Sequence, residues 1–166
     1  MTIASILKEK SANKTELLAQ NNLKNKKLPL WLIKLNSDLI DWVLVDALKI
    51  LPANFIISWK NNNFWDNWNI KFIDNKSMDS GFDFVVCDWC EDSINQYLNS
   101  WIVPVISKNH HISSILKEFD AKKIEWNAFI FENNALCDIY YAIIRYMENY
   151  KFPYDHKALV KNVLDI

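Results

Sequence analysis

Short apolar runs separated by helix-compatible stretches recur along the whole chain, and this alternation constrains the fold more than any other feature. The runs cover residues 30–33, 54–58, 70–73, 82–86, 102–106 and 129–131. Helical stretches cover 8–20, 91–100, 112–119, 134–150 and 155–163, and another runs from a cap at Ser37 or Asp38 to Pro52. The predicted buried face of that last helix consists of Leu39, Val43, Ala47 and Ile50, which recur at helical spacing.

This alternation is typical of βαβ units. It predicts one Rossmann-like α/β domain over residues 1–166, with a parallel sheet of about six strands between two helical layers. In open sheets of this kind, ligands bind outside the carboxyl ends of the strands. The loops expected to carry function begin at Lys34, Ser58, Val86, Ile106 and Phe131.

Composition and charge exclude several classes of protein. Hydrophobic residues make up 51% of the chain and charged residues 23%, which excludes global disorder. A net charge of -1 does not favour nucleic acid or an anionic membrane as partner, because both require a basic surplus. The N-terminus lacks the layout of a signal peptide, and no apolar run is long enough to span a bilayer. Three cysteines, an odd number, favour a reducing compartment, so we predict a cytoplasmic protein.

Two short motifs follow strands without the partners that their chemistry requires. Cys87 and Cys90 form a C-x-x-C pair that could be a redox dithiol or half of a zinc site, but no second half with ligand spacing is present. His110 and His111 could transfer protons, but no nucleophile or carboxylate accompanies them at a suitable spacing. We therefore interpret the first pair as coincidental and the second as part of a polar loop, and we predict no metal site.

The chain has one glycine and eight tryptophans, where average usage would give about twelve glycines. Glycine-rich phosphate-binding motifs are therefore absent, and dinucleotide oxidoreductases and P-loop NTPases have no support. Trp59, Trp89, Trp101 and Trp126 occupy turns and helix ends, where a positive φ or a close backbone approach favours glycine. Alternatively, these indoles simply pack over the loops.

Three stretches carry a family resemblance when they are taken in order. Residues 10–18 read KSANKTELL, residues 88–105 begin with DWCE and end with WIVPV, and residues 126–131 read WNAFIF before a long helix and the tail YKFPYD. They are similar to K-x-x-N-K-x-x-L, to E-P-C-G…G-T-V-P-V of equal length, and to G-x-G-F-x-F with its closing helix and tail. The chain thus resembles the C-terminal nucleotide-sugar-binding domain of bacterial glycogen synthases and plant starch synthases.

The resemblance implies a retaining glycosyltransferase of the two-Rossmann-domain (GT-B) type. Such an enzyme transfers glucose from ADP-glucose to the non-reducing end of an α-1,4-glucan and needs no cofactor besides the donor substrate. In this family the active site lies between two halves, and the N-terminal acceptor-binding half is absent from this sequence. We therefore expect the chain alone to be inactive. Whether a separate gene encodes that half stays open. The choice between ADP-glucose and UDP-glucose stays open.

The resemblance also implies roles for individual residues. Asp88 and Gln96 take the places of two glutamates, of which the first acts near the sugar and the second holds the donor ribose. Lys34 stands near the basic pair that binds the donor diphosphate, whose second member falls on Ile40 or Asp41. Asp88 and Lys34 are thereby implied as catalytic residues. The implied substrate-binding residues are Gln96, Trp59, Trp101, Ile102, Val103, His110 and His111.

Several of these positions depart from the family pattern where phosphate should bind. Ile102 replaces a threonine that contacts phosphate, and His110 and His111 replace two glycines. Backbone N–H groups reach phosphate only where no Cβ intrudes, so Trp101 and His110 are expected to block the anion site. We therefore expect poor binding of ADP-glucose or none. A degenerate, non-catalytic domain that binds a glucan or a protein partner is the alternative.

The surplus of tryptophan has a possible origin in the gene. Some bacteria with AT-rich genomes read the codon UGA as Trp and others read it as Gly. If a gene from an organism that reads UGA as Gly were translated with UGA as Trp, Trp would stand at glycine positions such as 59, 89, 101 and 126. The codons at these four positions test this hypothesis.

Overall fold

The computed structural model describes residues 2–59, 64–74, 80–88, 94–120, 122–123 and 125–164. Six strands form one sheet in which every neighbouring pair is parallel, in the order β3-β2-β1-β4-β5-β6. The strands are β1 Leu30–Lys34, β2 Asn54–Ser58, β3 Ile70–Ile73, β4 Phe84–Cys87, β5 Val103–Ser107 and β6 Phe129–Phe131. The predicted parallel α/β sheet is confirmed, and each predicted strand lies within two residues of its observed bounds.

Helices lie before, between and after the strands. They are α1 Ile3–Gln20, α2 Trp42–Lys49, α3 Ile94–Asn99, α4 Leu136–Tyr150 and α5 Pro153–Leu164, with short 3-10 helices at Ser37–Leu39 and His111–Ser114. Successive residues of β1, β4 and β5 are buried, so both faces of the central sheet are covered. Trp31 on β1 is fully buried and contacts Phe84 on β4 and Tyr146 on α4. None of the described helices is long and apolar enough to cross a membrane.

Buried polar contacts attach α1 to the amino edge of the sheet, where strands β1, β4 and β5 begin. Lys10 Nζ donates to the carbonyl of Phe82 at 2.6 Å and to that of Trp101 at 2.9 Å. Lys14 Nζ forms a 2.7 Å ion pair with Asp83, which also accepts the N–H of Leu30. The residues of the K-x-x-N-K stretch therefore act here as a structural attachment.

The chain's single glycine lies at this attachment. A Cβ built on Gly81 would meet the backbone carbonyl carbon of Asn13 and the backbone nitrogen of Lys14 at 2.7 Å. Backbone atoms cannot give way as the end of a side chain can, so only glycine fits between this turn and α1.

The predicted start and buried face of α2 are wrong. The helix begins after Asp41, whose carboxylate accepts the N–H of Leu44 at 2.8 Å, and not after Ser37 or Asp38. Its buried residues are Leu44, Val45 and Leu48. Two residues of the predicted face are exposed instead, Val43 by 66% and Ile50 by 78%.

The predicted helix over 112–119 is also wrong. Beyond the 3-10 helix at His111–Ser114, the chain runs along the outer edge of β6. Phe119 donates its backbone N–H to the carbonyl of Ala128 at 3.0 Å, and the Glu118 carboxylate accepts the N–H of Ile130. This segment satisfies backbone groups that an edge strand would otherwise expose.

Candidate functional site

The strand order places a crevice between β1 and β4 at the carboxyl edge of the sheet. The chain runs outward from β1 to β2 and β3 on one side and from β4 to β5 and β6 on the other. The loops that leave β1 and β4 therefore diverge. Such a switch point is where open α/β sheets bind ligands, so the crevice is the candidate site.

Lys34 lies on one side of this crevice. It is the last residue of β1 and pairs in register with Cys87, the last residue of β4. Its Nζ lies 5.8 Å from the centroid of the buried Tyr97 ring on α3, which is within range of a cation–π contact. Lys34 also lines a cavity of about 520 Å³ with Leu35, Asn36 and Ser58. The structure thus places a cation at the opening where an anionic ligand would enter.

Asp88 lies on the other side, directly after β4. The residue is buried, and its Oδ1 accepts the backbone N–H of Asn36 at 2.9 Å. A hydrogen bond to an ionised carboxylate is stronger than a neutral one. Asp88 therefore holds the loop that follows Lys34, and one of its oxygens already has this structural partner.

Two further predicted residues, Gln96 and Trp59, come after β4 and β2 along the chain. Gln96 is exposed on α3, and the segment 89–93 that joins it to Asp88, including Trp89, Cys90 and the start of the predicted helix, lies outside the described residues. Trp59 follows β2 and contacts Phe64, which in turn stacks on Phe72. Trp59 therefore packs over the loop, as the alternative interpretation of the indoles anticipated.

The two histidines follow β5 at the same edge. His110 is buried, and its Nδ1 accepts the N–H of Ile112 at 3.4 Å at the start of a 3-10 helix. The exposed His111 ring stacks on it with centroids 4.6 Å apart. This geometry assigns His110 a capping role and leaves its predicted role in ligand binding a prediction.

Trp101, Ile102 and Val103 lie elsewhere. They precede or begin β5, so they are at the amino edge, where the carbonyl of Trp101 accepts from Lys10. A ligand at the carboxyl ends of β1 and β4 is separated from them by the length of a strand. The structure does not bring these three predicted residues to the crevice, and Trp101 does not obstruct an anion there.

The sequence analysis did not single out Tyr97, Asn36 and Leu35, which the structure places at the crevice. Tyr97 lies within a helix and not at the end of a strand, so its contact with Lys34 left no signal in the sequence. Asn36 contributes its backbone N–H, which every residue but proline carries. Among the described residues, no three His, Cys, Asp or Glu side chains are grouped as a metal site would require.

Comparison with known proteins identifies the fold. No protein-family profile and no curated protein matches the sequence. Among solved structures, the catalytic domain of starch synthase IV from Arabidopsis thaliana, bound to ADP and acarbose, matches with a TM-score of 0.70 and 16% identity. The match covers 95% of this chain and 39% of that one. The chain therefore has the α/β Rossmann-like fold of part of a GT-B catalytic domain, and the resemblance stated above is confirmed at the level of the fold.

Proposed function

We propose that this chain is the donor-binding half of a glucosyltransferase of the glycogen and starch synthase type. The observation that carries the proposal is the pair formed by Lys34 and Asp88, which lie on the two sides of the switch-point crevice. The likeness to a catalytic domain solved with ADP supports nucleotide-sugar binding in general. The donor is ADP-glucose, and the acceptor is an α-1,4-glucan.

The charges in the crevice suit a nucleotide-sugar. Lys34 neutralises part of the diphosphate charge, which grows as the sugar departs. Asp88 lies where sugar hydroxyls can donate to its carboxylate. In the reaction, the bond from glucose C1 to the diphosphate oxygen breaks and a bond from C1 to the acceptor O4 forms. The acceptor's hydroxyl proton passes to the departing diphosphate, so ADP leaves and the glucan gains one glucose.

Transfer requires more than these residues. The chain spans 39% of the length of the solved starch synthase chain, and the remaining part of a GT-B enzyme supplies the acceptor side. We therefore propose that donor binding belongs to this chain and that turnover needs a second half. One cation at the opening, without a second beside it in the described part of the loop, implies weaker binding than a basic pair would give.

Calorimetric titration of the chain with ADP and ADP-glucose tests the proposal. Lys34→Ala is expected to weaken binding about tenfold or more, which corresponds to about 1.4 kcal/mol. Lys24→Ala is the matched control, because Lys24 is exposed in the connector before β1 at the opposite edge, and it should leave the affinity unchanged. A parallel titration with UDP-glucose identifies the base preference.

A non-catalytic glucan- or protein-binding domain is the second candidate function. The hydrogen bond from Asn36 to Asp88 favours it, because this carboxylate has a structural role in holding the loop. Absence of ADP and ADP-glucose binding at millimolar concentration would contradict donor binding and support this candidate.

A further inference from the structure

A second cavity, of about 730 Å³, lies at the β6 edge of the sheet, two strands from β4. Its floor is apolar and is formed by Ile130, Phe131 and Ala142. One wall is a face of α4 that carries Asp138, Tyr141 and Arg145 at helical spacing, and this face is about 10 Å long because each residue rises about 1.5 Å. The cavity is large enough to hold a small-molecule ligand.

The charges that line this groove are paired. Lys108 forms a 2.7 Å ion pair with Glu132, and Arg145 forms a 2.6 Å ion pair with Glu118. Asp138 accepts from the side-chain amide of Asn133 at 2.9 Å. Three carboxylates and two cations therefore line the groove, and its excess of negative charge disfavours phosphates and nucleotides. A neutral ligand suits it better.

The groove also presents an aromatic face beside fixed polar groups. Tyr141 is 65% exposed, and the Arg145 guanidinium lies 5.8 Å from its ring centroid. Arg145 is itself held by Glu118 and by a 3.3 Å hydrogen bond to the carbonyl of Phe119. The Ser113 hydroxyl donates to the carbonyl of Lys108 at 2.7 Å. Its oxygen lone pairs can therefore accept hydrogen bonds from a ligand.

This combination matches the surface of a sugar. A pyranose ring has an apolar face, which packs on an aromatic ring, and a rim of hydroxyls, which bond to carboxylates, hydroxyls and cations. The face of α4 from Asp138 to Arg145 has the length of about two such rings. The groove opens at the carboxyl edge, since Lys108 follows β5 and Glu132 follows β6.

We propose that this groove binds a linear α-1,4-glucan chain, at a site separate from the donor crevice. The choice of an α-glucan rests on the proposed function, whereas the choice of a neutral oligosaccharide rests on the groove itself. A chain bound there lies on the same edge of the sheet as the donor, so the groove retains the polymer beside the reaction.

Titration of the chain with maltoheptaose, followed by NMR or calorimetry, tests this site. Saturable binding is expected, and Tyr141→Ala should weaken it about tenfold or more because the aromatic face is lost. Tyr154→Ala is the matched control, since Tyr154 is 74% exposed on α5, outside the groove, and it should bind as the native chain does. Circular dichroism establishes that each variant is folded.

Titration of ADP into the same samples distinguishes a failure of the glucan groove from a failure of the donor site. Glucan binding that depends on Tyr141, in a chain that does not bind ADP, would support the groove and contradict the proposed function. Binding of ADP that depends on Lys34, without saturable maltoheptaose binding, would overturn the groove alone. Equal affinity in Tyr141→Ala and the native chain, or equal affinity for cellohexaose, would also overturn it.

Discussion

Trp101 occupies a backbone conformation that favours glycine. It follows α3 with a φ of 57°, and two hydrogen bonds close the helix around it, from its own N–H to the carbonyl of Leu98 and from Ile102 N–H to that of Tyr97, both at 2.9 Å. This is the Schellman pattern, in which the residue after the cap is usually glycine. Any Cβ in the left-handed region costs about 1–2 kcal/mol.

Glycine at position 101 should therefore give a more stable protein than alanine. Trp101→Gly and Trp101→Ala lose the same indole contacts, so their difference isolates the backbone. We expect the glycine variant to be more stable than the alanine variant by about 1 kcal/mol in urea unfolding, whereas glycine costs about 0.5–1 kcal/mol relative to alanine within a helix or strand. An alanine variant as stable as the glycine variant would exclude strain at this position.

Trp59 and Trp126, which the codon hypothesis also includes, differ from Trp101. Among the described non-glycine residues, Asn22 and Trp101 have positive φ, so Trp59 and Trp126 do not share this signature. Their buried indole nitrogens instead find no hydrogen-bond partner among the described residues, and a buried donor left unpaired costs about 1–3 kcal/mol. The codon hypothesis is therefore supported by geometry at position 101, and four UGG codons at 59, 89, 101 and 126 would still contradict it.

At the scale of the elements, a buried ion pair attaches α1 to the sheet. Asp83→Asn leaves the Lys14 ammonium buried without its carboxylate, and such losses cost about 3–5 kcal/mol. Asp46→Asn is the matched control, because the pair of Asp46 with Lys49 is exposed on α2 and should contribute under about 1 kcal/mol. Denaturant unfolding of both variants measures the difference, and equal losses would show that α1 is held by its apolar face instead.

The central strands were predictable because a parallel strand covered on both faces is a continuous apolar run, as in residues 30–33. The orientation of α2 was not, since Trp42–Lys49 is apolar on nearly all sides and its periodicity fits more than one face. The crevice was predictable at Lys34 and Asp88, which lie at the carboxyl ends of β1 and β4. Trp101, Ile102 and Val103 were assigned to the site by motif order, although residues that begin a strand lie at the opposite edge.

For the molecule as a whole, His156 gives stability a pH dependence. Its Nδ1 lies 2.9 Å from the Tyr146 hydroxyl, between α4 and α5. Burial lowers the pKa of His156 to about 4, although the Asp83 carboxylate opposes this shift. The folded chain therefore keeps this imidazole neutral over a range in which the unfolded chain protonates it.

The sign of the effect follows from this difference. The unfolded state binds the proton first, near pH 6.5, so the contribution of His156 is complete above that pH and is lost as the pH falls to about 4. Since His156 is partly exposed, the loss is at most about 3 kcal/mol. His156→Gln, whose amide can donate to or accept from the Tyr146 hydroxyl but does not titrate, should flatten the fall in unfolding free energy between pH 6.5 and 4. The carboxylates are the same residues in both proteins, so an unchanged slope in the variant would assign the acid sensitivity to them instead.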